Sequence, residues 1–231
     1  MTPPTKDATA KPTRGRPPKG SPALTREAIL ASAIAVIDSD GVENTSMRTV
    51  ARRLGVDAKS LYNHVDGKDG LLDAVAEHIL AGFAIPEPTG SLGPDLMAFA
   101  RSFRRTTLRH PRAAALVLTR QVASAAGLAP TAAILSVLRA AGFGPGESVH
   151  LLRSLLALTV GALLREVEAG PTFGVGDPDG IADRRRALEG SGHPALSEVA
   201  AQLARCDHEE EFEFALGLMI DAVARRAAHA A

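Results

Sequence analysis

Apolar side chains recur along this chain every three to four residues, the period of an α-helix that packs on one face. In the first such stretch, 25–40, the apolar stripe begins after Thr25, a residue type that suits an N-cap, and Gly41 supplies a stop. The alternation of apolar and polar residues that is typical of β-strands does not stand out. The sequence therefore predicts an all-α protein.

The pattern divides the chain into three parts. Residues 1–22 are rich in Pro, Thr, Gly and Lys without apolar periodicity, and we predict a flexible basic arm. Residues 23–68 predict three short helices, the second running from Ser46 to Leu54 with Thr45 as its cap and the third covering about 58–64. Residues 69–231 predict a second, larger helical domain.

A fourth helix joins the two predicted domains. It starts near Lys68 and carries apolar residues four apart until Pro86 ends it. Further helices are predicted at about 94–109, 112–124, 129–141, 147–168, 194–205 and 208–228. The Gly- and Asp-rich stretch 170–192 predicts a mobile loop.

Helices 147–168 and 208–228 carry apolar residues around most of their circumference. A helix of this kind must be buried on nearly all sides. A single thick core would bury them, but two such helices in a domain of this size favour one face packed inside the subunit and another against a second copy. We therefore predict a homodimer.

The segment 46–64 has the spacing of a helix-turn-helix. A small residue, Ala51, allows two helices to cross closely, Gly55 four residues later permits a positive φ in the turn, and Leu61 packs back from the next helix. The same spacing arises by chance in helical hairpins, but here caps, core residues and a supporting helix on each side accompany it. The helix at about 58–64 would then be the recognition helix and present its outer face to the major groove.

Charge and composition narrow the function. The 231-residue chain has no net charge, yet residues 1–26 contain six basic residues and one acidic residue, which favours an anionic partner. Cys206 is the single cysteine, the N-terminus resembles no secretory signal, and the most apolar run, 154–164, is too short to span a bilayer. We predict a cytoplasmic protein without a membrane partner or cofactor, and no arrangement of residues indicates an enzyme.

Helix 25–40 followed by TSMRTVARRLGVDAKSLYNHVDGKDGLLDAV resembles the DNA-binding domain of the TetR family of repressors. The resemblance covers about residues 24–85. A looser similarity to the effector domain of the tetracycline-repressor branch continues through 102–120. The resemblance implies a homodimeric repressor that binds a palindromic operator and is released by a small molecule. It also implies that residues 23–68 form the helix-turn-helix DNA-binding domain and residues 69–231 the effector-binding and dimerisation domain.

The resemblance also implies roles for single residues. Tyr62 and Lys68 would bind phosphate, and Arg48 would reach base edges in the major groove, although a phosphate contact or a solvated position is the alternative. Asn63 stands where many family members have an aromatic residue. We predict DNA contacts for Arg14, Arg16, Thr45, Ser46, Arg48, Ala58, Lys59, Ser60, Tyr62, Asn63, His64 and Lys68.

The arm contains Arg14-Gly15-Arg16-Pro17, which is similar to the core of AT-hooks, where an extended Arg-Gly-Arg lies in a narrow minor groove. The alternative is a solvated basic tail that attracts phosphate without reading sequence. The sequence leaves both interpretations open.

In the tetracycline-binding branch a His, an Asn, and a His with a Glu around magnesium hold the drug. The resemblance places Ala84, Phe99, Leu116 and Arg165 at those positions, which removes the ligands for a hard cation. We therefore predict no metal and a mainly apolar, multi-ring effector. Its expected contacts are Phe83, Phe99, Phe103, His110, Leu116 and Arg120. The alternative function is a DNA-binding activator or regulator without a small-molecule effector.

Overall fold

A computed structural model of the chain describes residues 24–120, 124–168 and 177–230. Within these ranges the chain forms twelve α-helices and one 3₁₀ turn, and no β-strand occurs. The all-α prediction is confirmed.

The N-terminal part consists of α1 (Arg26–Asp40), α2 (Met47–Leu54), α3 (Ala58–Leu61) and α4 (Gly67–Ala81). Thr25 caps α1 as predicted, because its hydroxyl accepts the N–H of Ala28 at 3.2 Å. Gly41 ends the helix at φ 85° and donates its N–H to the carbonyl of Ile37. Helix α3 is shorter than the predicted 58–64.

The C-terminal part contains the remaining helices and a 3₁₀ turn at Pro111–Ala113. The helices are α5 (Leu92–Leu108), α6 (Ala114–Thr119), α7 (Ala125–Ala140), α8 (Pro145–Glu168), α9 (Pro178–Glu189), α10 (Pro194–Glu198), α11 (Ala200–Ala204) and α12 (His208–Ala230).

The described part of the predicted loop 170–192 contains helix α9, so the loop prediction is wrong there. Asp177 caps α9 by accepting the N–H of Gly180 at 3.0 Å, and Pro178 occupies the first turn, where its missing N–H costs nothing. Residues 170–176 lie outside the described residues. The predicted helix 112–124 begins as a 3₁₀ turn and ends at Thr119, and the predicted helix 194–205 is split at Val199.

The buried apolar residues of the described chain form two hydrophobic cores. The first joins α1, α2, α3 and α4 and also takes in Leu116 and Val117 of α6, so it continues beyond residue 68. The second joins α5, α7, α8 and α12. Phe103 of α5 packs against both cores. Helices α4 and α6 and the ring of Phe103 therefore connect the N-terminal helices mechanically to the C-terminal domain.

Arg104 of α5 fixes two helices of the C-terminal domain around it. Its guanidinium donates two hydrogen bonds, of 3.0 and 2.7 Å, to the Glu166 carboxylate on α8, and it lies 5.6 Å from the ring centroid of Phe212 on α12. The hydrogen bonds to Glu166 raise the pKa of Arg104, although burial works against them. This contact holds α5, α8 and α12 together.

Candidate DNA-binding surface and effector cavity

Helices α2 and α3 have the geometry of a helix-turn-helix. Gly55 adopts φ 69°, a left-handed conformation that suits glycine, and the N–H of Val56 donates to the carbonyl of Ala51 at 3.1 Å. Ala51 is 2% exposed, and Leu61 is fully buried behind it. The three residues that the spacing singled out therefore meet as the motif requires.

The outer surface of the motif presents most of the predicted DNA contacts to solvent. Tyr62 is 58% exposed although it is aromatic, so its ring is available to a partner rather than part of the core. The polar side chains that share this exposed surface are Arg48, Lys59, Asn63 and His64. Ser60 and Ala58 are half-buried, and Ala58 packs against the first core.

Thr45 does not belong to this surface, so its predicted DNA contact is contradicted. The residue has no exposed surface, and its hydroxyl donates to the carbonyl of Gly41 at 2.9 Å. Ser46 is the N-cap of α2 in its place. The Ser46 hydroxyl accepts the N–H of Thr49 at 3.1 Å, while the Thr49 hydroxyl accepts the N–H of Ser46 at 2.8 Å.

Lys68 lies exposed in the first turn of α4, directly after the helix-turn-helix. Its ammonium group donates to the carbonyl of Glu43 at 3.3 Å, across the turn that precedes α2. The amine is therefore held beside the start of α2 rather than swinging free. The predicted contacts Arg14 and Arg16 lie outside the described residues.

A cavity of about 650 Å³ lies inside the C-terminal domain. Helices α5, α6, α7 and α8 form most of its wall, Leu80 closes it from α4, and Leu216 closes it from α12. The lining is largely apolar, a property that favours ligands with apolar rings. Of the predicted effector contacts, Phe99, Phe103 and Arg120 are part of this wall.

The other three predicted contacts lie outside the wall. Phe83 is buried behind it, with its ring centroid 5.0 Å from that of Phe99 and 6.0 Å from that of Phe103, both edge to face. Leu116 faces the first core instead of the cavity. His110 faces α1, where its Nδ1 lies 2.9 Å from the Asp38 carboxylate.

Sequence reasoning missed the contribution of α7 and α8 to the cavity. Leu128 of α7 and Leu156 of α8 line it and are 53% and 37% exposed, so the wall reaches the surface there. Thr159 also lines it, as a polar residue within the most apolar stretch of α8. That isolated polar residue was the available signal in the sequence.

Arg120 stands at the end of α6, between the cavity and α4. Its guanidinium donates to the Asp73 carboxylate, and also to that of Asp69 at 3.2 Å, both on α4. The hydrogen bond to Asp73 contributes most to raising the pKa of Arg120, and partial burial works against it. The same side chain therefore touches the cavity and the helix that follows the DNA-binding motif.

An exposed helix-turn-helix on a helical domain with an apolar cavity is the architecture of a DNA-binding transcriptional regulator. Residues 29–75 match the family model for bacterial regulatory proteins of the tetR family. Residues 86–226 match the tetracyclin repressor-like C-terminal domain. The chain belongs to the TetR family of transcriptional regulators, a family of DNA-binding proteins rather than enzymes.

Individual relatives agree with this assignment. An HTH-type transcriptional regulator of Saccharopolyspora erythraea is 35% identical over 186 residues, which are 79% of this chain and 78% of that protein. The class A tetracycline repressor from transposon 1721, from Escherichia coli, is 29% identical over 86% of this chain and 89% of its own. The crystal structure of Streptomyces coelicolor ActR in complex with (S)-DNPA is 25% identical, with a TM-score of 0.75, and covers 89% of this chain and 100% of that chain.

Proposed function

We propose that this chain is a ligand-responsive homodimeric repressor, which binds a palindromic operator in the cytoplasm and is released by a small, mainly apolar effector. The observation that carries the proposal is the apolar cavity inside the C-terminal domain, with Leu80 of α4, the helix that follows the DNA-binding motif, in its wall. A regulator without a small-molecule effector has no need of such a cavity. The complex of ActR with (S)-DNPA supports the same interpretation, because a neighbour of this fold has been solved with a small molecule bound.

The proposed dimer interface is the outer face of α8 and α12. These adjacent helices carry large apolar side chains in contact with solvent, including Phe214 at 67% and Leu218 at 58% exposure. By length and composition α8 is apolar enough to cross a membrane, yet it packs against α6, α7 and α12. An apolar face of this extent is typical of an interface between subunits.

A two-fold dimer presents two copies of the recognition helix to inverted half-sites about one helical turn apart. An effector that fills the cavity pushes against the end of α4 at Leu80. Because Lys68 lies at the other end of α4, a tilt of this helix changes the separation of the two recognition helices, and operator affinity falls.

A thermal-shift screen of multi-ring compounds tests the proposed effector site. A ligand that binds only the folded chain at a hundred times its Kd adds about 2.7 kcal/mol to the free energy of unfolding. We expect hits that raise the Tm without added magnesium and that also lower the affinity for operator DNA. Hits that need magnesium and are lost with a chelator would contradict the metal-free site.

Contacts to bases and to phosphates are separated by two variants of the DNA-binding surface. Lys68→Ala should weaken binding to every DNA sequence alike and flatten the salt dependence by about one counterion. Arg48→Ala should reduce the free energy of binding by roughly 1–3 kcal/mol on the operator and by much less on random DNA.

Fluorescence anisotropy of labelled duplexes measures both affinities. Arg105→Ala, an exposed arginine on α5, controls for the loss of one positive charge, and equal losses for Arg48→Ala on both DNAs contradict base reading.

The basic arm supplies a further prediction. Removing residues 1–20 should reduce operator affinity and its salt dependence, because the arm's lysines and arginines release counterions when they meet phosphate. If Arg14 and Arg16 enter the minor groove, the loss depends on the A·T content next to the operator. Equal losses beside A·T-rich and G·C-rich flanks leave a solvated tail as the explanation.

A further inference from the structure

Arg120 is the one charged side chain among the described residues that line the cavity. Its side chain is 24% exposed, and its position at the end of α6 lets it reach both the cavity and α4. An arginine in an otherwise apolar wall predicts an anionic group on the molecule that the wall encloses.

The two carboxylates that now pair with Arg120 are much more exposed to solvent than the arginine itself. The carboxylates of Asp69 and Asp73 are 90% and 61% exposed, so water solvates them well when the arginine leaves. Exposed ion pairs contribute little to stability. A carboxylate inside the partly enclosed cavity is screened less by water, and a planar guanidinium can bind it through two parallel hydrogen bonds.

Thr159 is a second polar feature of the wall. It is 6% exposed and lies on α8, and its hydroxyl makes no hydrogen bond within the described part of the chain. The hydroxyl is not among the fully enclosed polar atoms of the described chain, so it is open to the cavity, and a ligand oxygen within reach can accept from it or donate to it. A bound molecule with a polar oxygen in addition to its acid group could contact both Thr159 and Arg120.

We propose that the effector is a multi-ring molecule with a carboxylate, and that this carboxylate takes the Arg120 guanidinium away from Asp69 and Asp73. The inference rests on the proposed function of the cavity and adds the chemical class of the ligand and the switch it operates. The ion pairs tie α6 to the first turns of α4, beside Lys68. Their exchange releases that end of α4 in the ligand-bound state, so carboxylate binding and operator binding oppose each other.

Two probes of nearly the same shape, one anionic and one neutral, test the exchange: anthraquinone-2-carboxylate and anthraquinone-2-carboxamide. Isothermal titration calorimetry with the full chain gives both dissociation constants. We expect the carboxylate to bind the wild type about tenfold more tightly than the carboxamide, the difference that a hydrogen bond to a charged group supplies. In Arg120→Gln the carboxylate should lose this advantage, while the carboxamide changes little. Arg105→Gln, which removes a charge outside the cavity, should leave both constants unchanged.

The double variant Asp69→Asn/Asp73→Asn should change the affinity for the acidic probe in the opposite direction. With no competing carboxylates on α4, the acidic probe should bind severalfold more tightly than to the wild type, and the carboxamide should not. Both probes binding the wild type equally, or losing affinity equally in Arg120→Gln, would show that Arg120 is only a structural link, while the cavity remains the effector site. If neither probe binds any variant, the cavity itself is not a site for multi-ring ligands, and the proposed function fails with the switch.

Discussion

Replacing Leu218 by arginine is expected to convert the dimer into a monomer and to abolish tight operator binding. In the single chain Leu218 is 58% exposed on α12, so the arginine finds water and the subunit folds. In the proposed interface each copy would bury an unpaired charge, which costs about 3–5 kcal/mol per site. Light scattering at micromolar concentration measures the mass, and anisotropy on a two-half-site duplex measures the DNA affinity.

Ile85→Arg is the matched control for this variant. Ile85 is 41% exposed in the segment between α4 and α5 and belongs to neither α8 nor α12. It should remain a dimer with unchanged operator affinity. Leu156 is a poorer test site because it also lines the cavity. A wild-type chain that is monomeric at micromolar concentration, or a Leu218→Arg chain that stays dimeric, contradicts the proposed interface.

Phe103→Ala should abolish the response to effector while operator binding stays nearly intact. The ring is part of the cavity wall, packs 6.0 Å from the ring of Phe83, and bridges the two cores. Truncating a Phe in such a position removes about 2 kcal/mol or more of ligand contact, which is roughly a thirtyfold loss of affinity. Reporter repression with and without an anthraquinone effector, together with calorimetry on the purified chain, measures the effect.

Leu135→Ala controls for simple destabilisation. Leu135 is half-buried on α7 against the same second core, but it does not line the cavity. It should lower the Tm and leave effector affinity unchanged. If the two variants reduce effector affinity equally, Phe103 acts through the stability of the domain and not through contact with the ligand.

The helix-turn-helix could be predicted from the sequence because its signals are local. Ala51, Gly55 and Leu61 lie within eleven positions of the chain, and each is fixed by a close contact or a turn. The cap of α2 was misplaced by one residue, because Thr45 and Ser46 are both good caps. The Thr45 hydroxyl donates to the Gly41 carbonyl, so it is not available to cap α2, and Ser46 is the cap.

The cavity could be predicted only in part, because six helices contribute to it and its shape depends on how each is rotated. Helices α6 and α8 are apolar on several faces, so periodicity does not tell which face points inward. On α6 Val117 and Leu118 line the cavity, while Leu116 packs in the first core. Helix α9 was missed because its glycines and aspartates suggested a loop, although Asp177-Pro178 is a typical helix start.

The coupling between the cavity and the DNA-binding surface is tested most directly by measuring operator affinity with the cavity filled. An operator duplex selected from a random pool by the purified chain is titrated with the chain at zero and at saturating anthraquinone-2-carboxylate. The expected result is an operator Kd that rises at least about tenfold, with an equal loss of probe affinity when operator is present, as linkage requires. An operator Kd that does not change while calorimetry shows the probe bound would contradict a ligand-released repressor.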